Sequence, residues 1–485
     1  MSNFFNPGEW RGKLFSGGWV AAAQVVDVIE PATGEVLTST GSATHEEVRR
    51  ATQAAKAAQA KWVAMDYKDR AGIFRRAATL LEQHFEEITP WIVRETGAVP
   101  GKAQFELANT IGYMWEAAAM PTQPQGVVLP TRAGRLSLQR RIPHGVVGVI
   151  TPFNFPMVLS MQAVAPALAT GNAVVLKPDL RTPVTGGYII ARVLEEAGLP
   201  TDVLHVLPGD AVAGEALVTD PAVAMISFTG STAAGRRVGE LASKHLKKVT
   251  LELGGKNSLI VLDDADLDLA ASNAAWGSYL HQGQICIATG RVLAHRSVAA
   301  EIVERLAEKA NHLSVGNPAT QQVALGPLID RRQLEKVDTL VRESVAQGAK
   351  LKAGGTYEKL FYRPTVLAEV KPNMRVYNEE VFGPVATVIT FDSEDEAISI
   401  VNSSEYGFVA GVISSSVARA LHVGEQLKVG MLHINDQTVD DEAVNTFGGF
   451  GASGNGGRHG GVANWDEYTQ WQWVTIKDRP TAYPF

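Results

Sequence analysis

The chain contains a single cysteine, Cys286, within the segment HQGQICIATG (281–290). A thiol is a strong nucleophile where its surroundings activate it. A free cysteine is also a small apolar residue that packs well in protein cores. The decapeptide alone leaves both interpretations open, because thiol reactivity depends on exposure and on neighbours that lie elsewhere in the sequence.

Further candidates for chemistry lie in four loop segments. These segments are TPFNFP (151–156), KPDLRTP (177–183), LELGGKN (251–257) and NEEVFGP (378–384). The amide of Asn154 could donate to an oxyanion, and the carboxylate of Glu252 could act as a general base. Each also has an ordinary interpretation: Asn154 as a turn residue, Glu252 as a solvated carboxylate, and Lys177 as a surface lysine before a proline turn.

Composition places the chain among globular proteins of two or three domains, with 485 residues and 45% hydrophobic content. The net charge of −7 and the lack of basic blocks argue against a nucleic-acid partner. One cysteine excludes an internal disulfide and a zinc site built on cysteine pairs, and we expect no metal. Residues 1–15 do not resemble a secretory signal, and the apolar run 164–176 is too short to span a bilayer. We therefore expect a cytoplasmic protein with no membrane partner.

Apolar strands alternate with helical segments through most of the chain. Helices are predicted over 41–62, where Thr44 and Glu47 form a capping-box signature, and over 68–88. Strands are predicted at 136–142, 145–150, 173–178, 203–208, 222–228 and 248–253. Buried strands separated by helices are typical of a parallel sheet, which binds ligands at the carboxyl ends of its strands.

The alternation resumes after residue 255, with helices near 298–311 and 331–348 and a strand at 383–391. This is enough for a second α/β domain. Residues 132–145 are predicted to form a strand pair set off from the sheet. Residues 470–480 form a strand without a partner nearby in sequence, which could complete a sheet elsewhere, even in another subunit.

Two segments have the character of phosphate-binding turns. GFGASG (449–454) fits the spacing of a dinucleotide fingerprint, but no regular strand precedes it and no helix follows, so we interpret it as a loop packed against another backbone. In FTGSTAAGR (228–236), a strand runs into Gly230 and Ser231 and a helix then begins. Helix N-termini suit pyrophosphate, although an ordinary strand–helix turn explains the pattern equally well.

The loop segments around Asn154, Lys177, Glu252 and Glu380, together with that around Cys286, resemble the motifs of the aldehyde dehydrogenase superfamily, in the family's order. Glu252 precedes Cys286 by 34 residues, a typical family spacing. The resemblance extends from about residue 20 to the C-terminus and is strongest to bacterial enzymes for aromatic aldehydes such as benzaldehyde and vanillin.

The resemblance implies an α/β fold with three parts. These are a Rossmann-like NAD(P)-binding domain (1–122 and 146–254), a catalytic α/β domain (255–452) and a small β bridging domain (123–145 and 453–485). The bridging domain pairs strands between subunits in the family, so a homo-oligomer, dimer or tetramer, is implied.

The resemblance also implies a mechanism. Cys286 would attack the aldehyde carbon, the Asn154 amide and the Cys286 N–H would stabilise the oxyanion, and Glu252 would activate water to hydrolyse the thioester. Residues implied to contact the cofactor are Lys177, Gly230, Ser231, Glu380, Phe382, Thr151, Pro152, Phe153 and Leu253. Lys177 would reach the adenosine ribose, Ser231 the pyrophosphate and Glu380 the nicotinamide ribose, with Phe382 near the ring.

One position departs from the pattern of NAD-preferring members. Many of them carry a glutamate three residues after the lysine, where this chain has Leu180 followed by Arg181. That carboxylate repels the 2′-phosphate of NADP, and the neighbouring Asp179 could replace part of its effect. We therefore predict NAD as the main cofactor, with real use of NADP.

The substrate pocket is predicted to be an apolar tunnel without an obvious charge. Its predicted lining is Val158, Leu159, Ile285, Ile287 and Phe447. Such a lining favours a benzaldehyde-like substrate over one that carries a carboxylate, such as succinic semialdehyde. The alternatives are a CoA-acylating enzyme, an enzyme for aliphatic aldehydes or semialdehydes, and a catalytically silent relative. Glu252 and Cys286 disfavour the first and the last of these.

Overall fold

The first of two large sheets has seven strands and follows from the buried apolar runs of the sequence. The computed structural model describes residues 4–485, so residues 1–3 of the predicted 1–122 segment lie outside the described residues. In spatial order the strands are Lys248–Glu252, Val223–Thr229, Val146–Ile150, Ala173–Lys177, Leu204–Val206, Lys13–Phe15 and Trp19–Ala21. The first five are parallel, and the last two are antiparallel additions at one edge.

The second sheet also has seven strands. In spatial order they are Lys350–Ala353, Thr365–Ala368, Val385–Phe391, Thr289–His295, Asn257–Val261, Val409–Ile413 and Met431–Ile434. All neighbours are parallel except the first pair. Every residue of the central strand Asn257–Val261 is buried, as expected where helices cover both faces of a parallel sheet.

The third sheet has three antiparallel strands, Thr469–Lys477, Arg135–Pro143 and Gly126–Val128. The prediction of a strand pair within 132–145 is wrong, because that segment is one nine-residue strand. Its partners are the preceding strand Gly126–Val128 and the C-terminal strand Thr469–Lys477. The predicted C-terminal strand is confirmed and finds its partner in the same chain, over nine paired residues.

Helices surround the two large sheets. They are Pro7–Trp10, His45–Ala64, Tyr67–Gln83, Phe85–Thr96, Pro100–Ala119, Pro156–Ala169, Ile189–Glu196, Ala211–Thr219, Thr232–Lys244, Leu267–Tyr279, Arg296–His312, Arg331–Ala346, Arg375–Asn378, Glu394–Asn402, Val417–Gly424 and Ala463–Tyr468. Shorter elements are the helical turns Met120–Thr122, Val184–Tyr188 and Leu280–Gly283 and the two-stranded pairs Val25–Ile29 with Val36–Gly41, Tyr357–Glu358 with Phe361–Tyr362 and Tyr406–Gly407 with Phe450–Gly451. Within residues 4–485, no helix combines the length and the apolar character that a membrane span requires.

Local signals in the sequence account for several helix ends. The capping box is confirmed: the Glu47 N–H donates to Thr44 Oγ1 at 3.3 Å, and the Thr44 N–H donates to Glu47 Oε2 at 2.8 Å. The single helix predicted over 68–88 is instead two helices, because the backbone leaves helical geometry at His84 (φ −103°, ψ 18°). The α/β class, with two largely parallel sheets and a small β unit, is as predicted.

Candidate active site

A strained turn precedes the cysteine. His281, Gln282 and Gly283 have φ values of 47°, 56° and 65°. These values lie in the left-handed region, which residues other than glycine rarely adopt. The Gln282 amide secures the turn by donating to Gly97 O at 2.9 Å and to Pro327 O at 2.8 Å. Consecutive left-handed residues persist only where their surroundings hold them, and they occur preferentially at functional sites.

Two asparagines hold the backbone on either side of the thiol. Asn257 Nδ2 donates to Cys286 O at 2.8 Å and to Ala288 O at 2.9 Å. Asn154 Nδ2 donates to Gln284 O at 2.9 Å. The amide that the sequence singled out therefore lies against the cysteine loop, although the two segments are 130 residues apart.

The thiol is partly buried, and its ionisation is disfavoured. Burial raises the pKa of Cys286, and the carboxylates of Glu380 and Glu252 raise it further, because a thiolate would add a negative charge near two others. The Ile287 N–H, which points at the sulfur, opposes the shift in the pKa.

Cys286 and Asn154 line two chambers at once. The first, here called the inner chamber, lies at the carboxyl ends of the strands of the first sheet and has a volume of about 310 Å³. It is lined by every residue predicted to contact a cofactor: Lys177, Gly230, Ser231, Glu380, Phe382, Thr151, Pro152, Phe153 and Leu253. It continues into an outer chamber of about 840 Å³, which also contains Lys177 and Ser231.

The second is an apolar chamber on the other side of the thiol. It contains the whole predicted substrate lining: Val158, Leu159, Ile285, Ile287 and Phe447. Phe105 and Phe155 add aromatic walls, and Phe447 packs edge-on against Phe408 with ring centroids 5.2 Å apart.

The prediction that this chamber carries no charge is wrong, because Asp440 and Asp441 also line it. Tyr113 Oη donates to both carboxylate oxygens of Asp441 at 3.1 and 3.2 Å. Burial raises the pKa of Asp441 to about 7, and the carboxylates of Asp440 and Glu442 contribute. No motif in the sequence predicted this position for Asp441, since it lies in a loop far along the chain from the cysteine.

Glu252 lies outside the lining of both chambers. Its side chain is buried beneath residues 447–454, here called the glycine-rich loop. The contact is close, since a Cβ on Gly448 would lie 2.8 Å from Glu252 Oε1. Neither carboxylate oxygen has a hydrogen-bond partner among residues 4–485. Burial raises the pKa of Glu252 well above its usual value, while Arg458 opposes the shift.

The glycine-rich loop packs against the end of the first sheet, as predicted for GFGASG. Gly454 forms an isolated antiparallel bridge with Glu252, and a Cβ on Gly454 would lie 3.0 Å from Leu251 O. Close backbone contact, rather than phosphate binding, accounts for the glycine here.

The inner chamber has the donors that a dinucleotide needs. Ser231 caps the helix Thr232–Lys244, whose N-terminus supplies free N–H groups and a partial positive charge. Within residues 4–485, the one acceptor that Lys177 Nζ reaches is Pro178 O, at 3.4 Å. Burial lowers the pKa of Lys177, against the opposing charges of Asp179 and Asp210. A weakly bonded amine facing a chamber fits ribose hydroxyls.

On the far wall of the inner chamber, the Gly255 N–H donates to Glu380 Oε1 at 3.0 Å. Burial raises the pKa of Glu380. Phe382 packs edge-on against Phe153 with ring centroids 6.0 Å apart. A hydroxyl-binding carboxylate next to two aromatic rings suits a nicotinamide riboside, so the residues present fit NAD.

Leu180 lines the outer chamber, at the position where the family resemblance led us to expect a glutamate. The carboxylate of Asp179 is not free to repel a 2′-phosphate, because Arg181 donates to both of its oxygens at 2.8 Å. Arg181 also donates to Asp330 at 2.7 Å and lies 4.1 Å from the ring centre of Phe153. The carboxylate beside Leu180 is therefore neutralised by an arginine.

Comparison with known proteins agrees with this geometry. The sequence profile of the aldehyde dehydrogenase family matches residues 19–474. A vanillin dehydrogenase from Amycolatopsis sp. is 55% identical over 487 residues, covering 100% of both chains. Benzaldehyde dehydrogenase [NAD(+)] from Pseudomonas putida is 49% identical over 478 residues, covering 98% of each.

A solved structure gives the same result for the fold. The crystal structure of a salicylaldehyde dehydrogenase from Pseudomonas putida G7, complexed with salicylaldehyde, superposes with a TM-score of 0.94 at 37% identity. The match covers 98% of this chain and 99% of that one. The chain belongs to the aldehyde dehydrogenase family.

Proposed function

We propose that the protein oxidises aromatic aldehydes to carboxylic acids, with NAD⁺ as its main oxidant. One observation carries the proposal: Cys286 and Asn154 lie where a chamber that fits NAD meets an apolar chamber. A substrate carbonyl at this junction would face the sulfur and the amide together. The vanillin and benzaldehyde dehydrogenases among the relatives support an aromatic substrate.

The first chemical step belongs to Cys286. The thiol loses its proton to water, the thiolate attacks the aldehyde carbon, and the C=O π electrons move to the oxygen, which gives the oxyanion of a thiohemiacetal. One N–H of the Asn154 amide is engaged with Gln284 O. The other N–H and the Cys286 backbone N–H are the donors for the oxyanion, and each such donor typically contributes about 10²–10³-fold in rate.

The chemistry that bound NAD⁺ would supply is that of a hydride acceptor for the tetrahedral carbon. Lys177 and Ser231 would hold the adenosine and phosphate portion of NAD⁺, and Glu380 would hold the ribose next to the nicotinamide. The acyl group then remains on Cys286 as a thioester. The buried surroundings of the junction protect this thioester from bulk water until the base acts.

Glu252 is the proposed base for the second half of the reaction. Its carboxylate takes a proton from water, the hydroxide attacks the thioester carbon, and Cys286 leaves as the acid is released. Because Glu252 lies outside both chambers in this conformation, we propose that its side chain rotates toward Cys286 for this step. Gly448 adjoins Glu252 Oε1, and a side chain at this position would clash with the carboxylate where it now lies.

A panel of aldehydes tests the substrate class. Benzaldehyde, vanillin, propanal and succinic semialdehyde would be compared through NADH absorbance, with and without CoA. We expect kcat/KM to be highest for the aromatic aldehydes and no acyl-CoA to form. Higher values for propanal would exclude the aromatic assignment, and formation of acyl-CoA would favour the acylating alternative.

We propose NAD with some use of NADP, since Leu180 replaces a repelling carboxylate and Arg181 neutralises Asp179. Kinetics with both cofactors test this point. A preference for NAD above about a thousandfold, or roughly 4 kcal/mol, would mean that another group rejects the 2′-phosphate.

We further propose a homo-oligomer, at least a dimer. The strand Thr469–Lys477 lies at the edge of its sheet, and its other edge has no strand partner within the described residues. Trp471 and Trp473 are 46% and 66% exposed there. An exposed aromatic edge strand readily pairs with another chain. Light scattering that finds a monomer at micromolar concentration would contradict this proposal.

Two further assignments stay proposals. The domain division into 1–122 with 146–254, 255–452, and 123–145 with 453–485 is supported by the three sheets, each of which draws all its strands from one group. A cytoplasmic location is supported by the single cysteine, which leaves no internal disulfide to form.

A further inference from the structure

A buried ion pair lies on the helix Pro100–Ala119, one turn apart, and the mechanism above does not use it. Lys102 Nζ and Glu106 Oε2 are 2.5 Å apart, and both side chains are 0% exposed. Burying two charges is costly unless each is fully paired and hydrogen-bonded. Both groups therefore need further hydrogen-bond partners in the protein interior.

Those hydrogen bonds all reach the segment that carries the oxyanion amide. Lys102 Nζ donates to Asn154 O at 2.7 Å and lies 3.9 Å from the ring centre of Phe155. Glu106 Oε1 accepts from the Met157 N–H at 2.8 Å, at the start of the helix that follows. One ion pair thus holds the backbone immediately at and after Asn154.

We propose that Lys102 and Glu106 are positioning residues that fix the Asn154 amide for oxyanion binding. Residues 151–155 form an irregular connection between a strand and a helix, so regular backbone hydrogen bonds do not define their geometry. The side chain of Asn154 has one partner of its own, Gln284 O. The ion pair fixes the main chain of the segment, and the Gln284 carbonyl then fixes the direction of the amide. This inference rests on the proposed role of Asn154.

Glu95 offers a control for Glu106, because it too is a buried carboxyl that accepts from backbone N–H groups. Glu95 is 0% exposed and accepts from the N–H groups of Val184 and Thr185, each at 2.8 Å. Unlike that of Glu106, its further hydrogen bond comes from the Thr185 hydroxyl and not from a lysine. It holds the turn Val184–Tyr188 and lines none of the chambers described above. A general loss of stability would affect both carboxylates, whereas a positioning role belongs to Glu106 alone.

The test is a double variant, Lys102→Met with Glu106→Gln, made both in the wild-type enzyme and with Asn154→Ala. Removing both charges leaves no unpaired buried ion, and glutamine keeps an acceptor for Met157. With Asn154 present, we expect kcat for benzaldehyde to fall about 10- to 100-fold and KM to change less than about threefold. With Asn154→Ala, the same pair should lower kcat by less than about threefold, because both changes act through one amide.

Two measurements separate positioning from folding and from effects on the thiol. The rate of Cys286 alkylation by iodoacetamide should stay within about twofold of wild type, because the nucleophile is untouched. Glu95→Gln should lower the unfolding temperature while leaving kcat unchanged. If the double variant does not fold, Glu106→Asp keeps both charges and should show the same pattern with a drop in kcat of about three- to tenfold.

Equal losses of kcat with and without Asn154 would overturn the proposal, as would an unchanged kcat. A wild-type enzyme that oxidised no aldehyde would instead refute the proposed function. Wild-type activity together with an impaired Asn154→Ala variant would leave the proposed function standing whatever the ion-pair variants do.

Discussion

The chambers on the two sides of Cys286 differ in size and in chemistry. On the cofactor side, the inner chamber of about 310 Å³ adjoins the thiol and continues into the outer chamber of about 840 Å³, whereas the apolar chamber has a volume of about 40 Å³. The inner and outer chambers are rich in charged side chains, several of which are paired with one another. The apolar chamber is mostly aliphatic and aromatic, with the carboxylates of Asp440 and Asp441 as its charges.

This difference indicates two modes of recognition. A dinucleotide can be held by many polar contacts spread along its length, so that a change in one contact shifts its affinity modestly. An aldehyde in a small apolar chamber is selected by shape and by whether its own charge can be accommodated, and similar apolar molecules are separated poorly. Substitutions at the junction should therefore have the largest effects, and those at the ends of the chambers smaller ones.

Cys286→Ala should have the largest effect, because this residue is shared by both chambers. Removal of a nucleophile typically lowers kcat by more than about 10⁴-fold. Binding of NAD⁺, measured by titration calorimetry, should change little, since the cofactor contacts are distributed over other residues. Aldehyde oxidation at the wild-type rate would overturn the assignment of the nucleophile.

The sequence was sufficient to predict that Asn154 and Cys286 lie together and to predict many of the residues that line the chambers, because their motifs are local and occur in a recognisable order. The proposed base Glu252 lies outside that lining. Asn154, Glu252 and Cys286 each lie in such a motif. The capping box at Thr44 and Glu47 was predictable for the same reason, since both partners lie within one helical turn.

Features that depend on distant contacts could not be predicted in this way. Asp441 enters the apolar chamber from a loop with no motif, and its partner Tyr113 lies 328 residues away. Lys102 and Glu106 show a helical spacing of four, which permits an ion pair but does not reveal that Asn154 lies above it. The segment 132–145 was misassigned because it contributes one strand, whose partners are Gly126–Val128 just before it and Thr469–Lys477 more than 300 residues after it.

The pH dependence should be the next largest effect and also concerns the junction. The pKa values of the Cys286 thiol and the Glu252 carboxyl are both raised by burial, and the proposed mechanism uses only their deprotonated forms. Below its pKa, each group loses about tenfold in active form per pH unit. The rate should therefore rise from pH 7 to pH 9.

Steady-state profiles of kcat and kcat/KM for benzaldehyde measure this rise. Glu252→Gln should flatten the part of the kcat profile that reflects thioester hydrolysis, and the acyl-enzyme should accumulate and be detectable by mass spectrometry. A profile that is flat from pH 6 to pH 9 would contradict the protonated resting state of both groups.

In the outer chamber, Leu180→Glu should lower kcat/KM for NADP by about tenfold or more and affect NAD little. The new carboxylate would repel the 2′-phosphate, and at a separation of about 4 Å such repulsion reaches a few kcal/mol near a protein surface. Leu180→Gln has nearly the same shape without the charge and serves as the control. Equal losses with both cofactors would mean that the position acts through shape alone.

At the end of the apolar chamber, Asp441→Asn should produce the smallest of these effects, and a pH-dependent one. The pKa of Asp441 is raised to about 7, so the wild-type side chain is ionised at pH 8.5 and largely neutral at pH 6. At pH 8.5 the variant should use 4-carboxybenzaldehyde about fivefold better relative to benzaldehyde, because a repelling charge has been removed. At pH 6 the same ratio should match that of the wild type.

Asp436→Asn, which removes an exposed charge from the same segment outside the chamber, should leave the ratio unchanged at both pH values. If Asp441→Asn left the use of 4-carboxybenzaldehyde relative to benzaldehyde unchanged at pH 8.5, shape alone would exclude charged aldehydes. The chambers on the two sides of the thiol would then differ in how they select ligands by size rather than by charge.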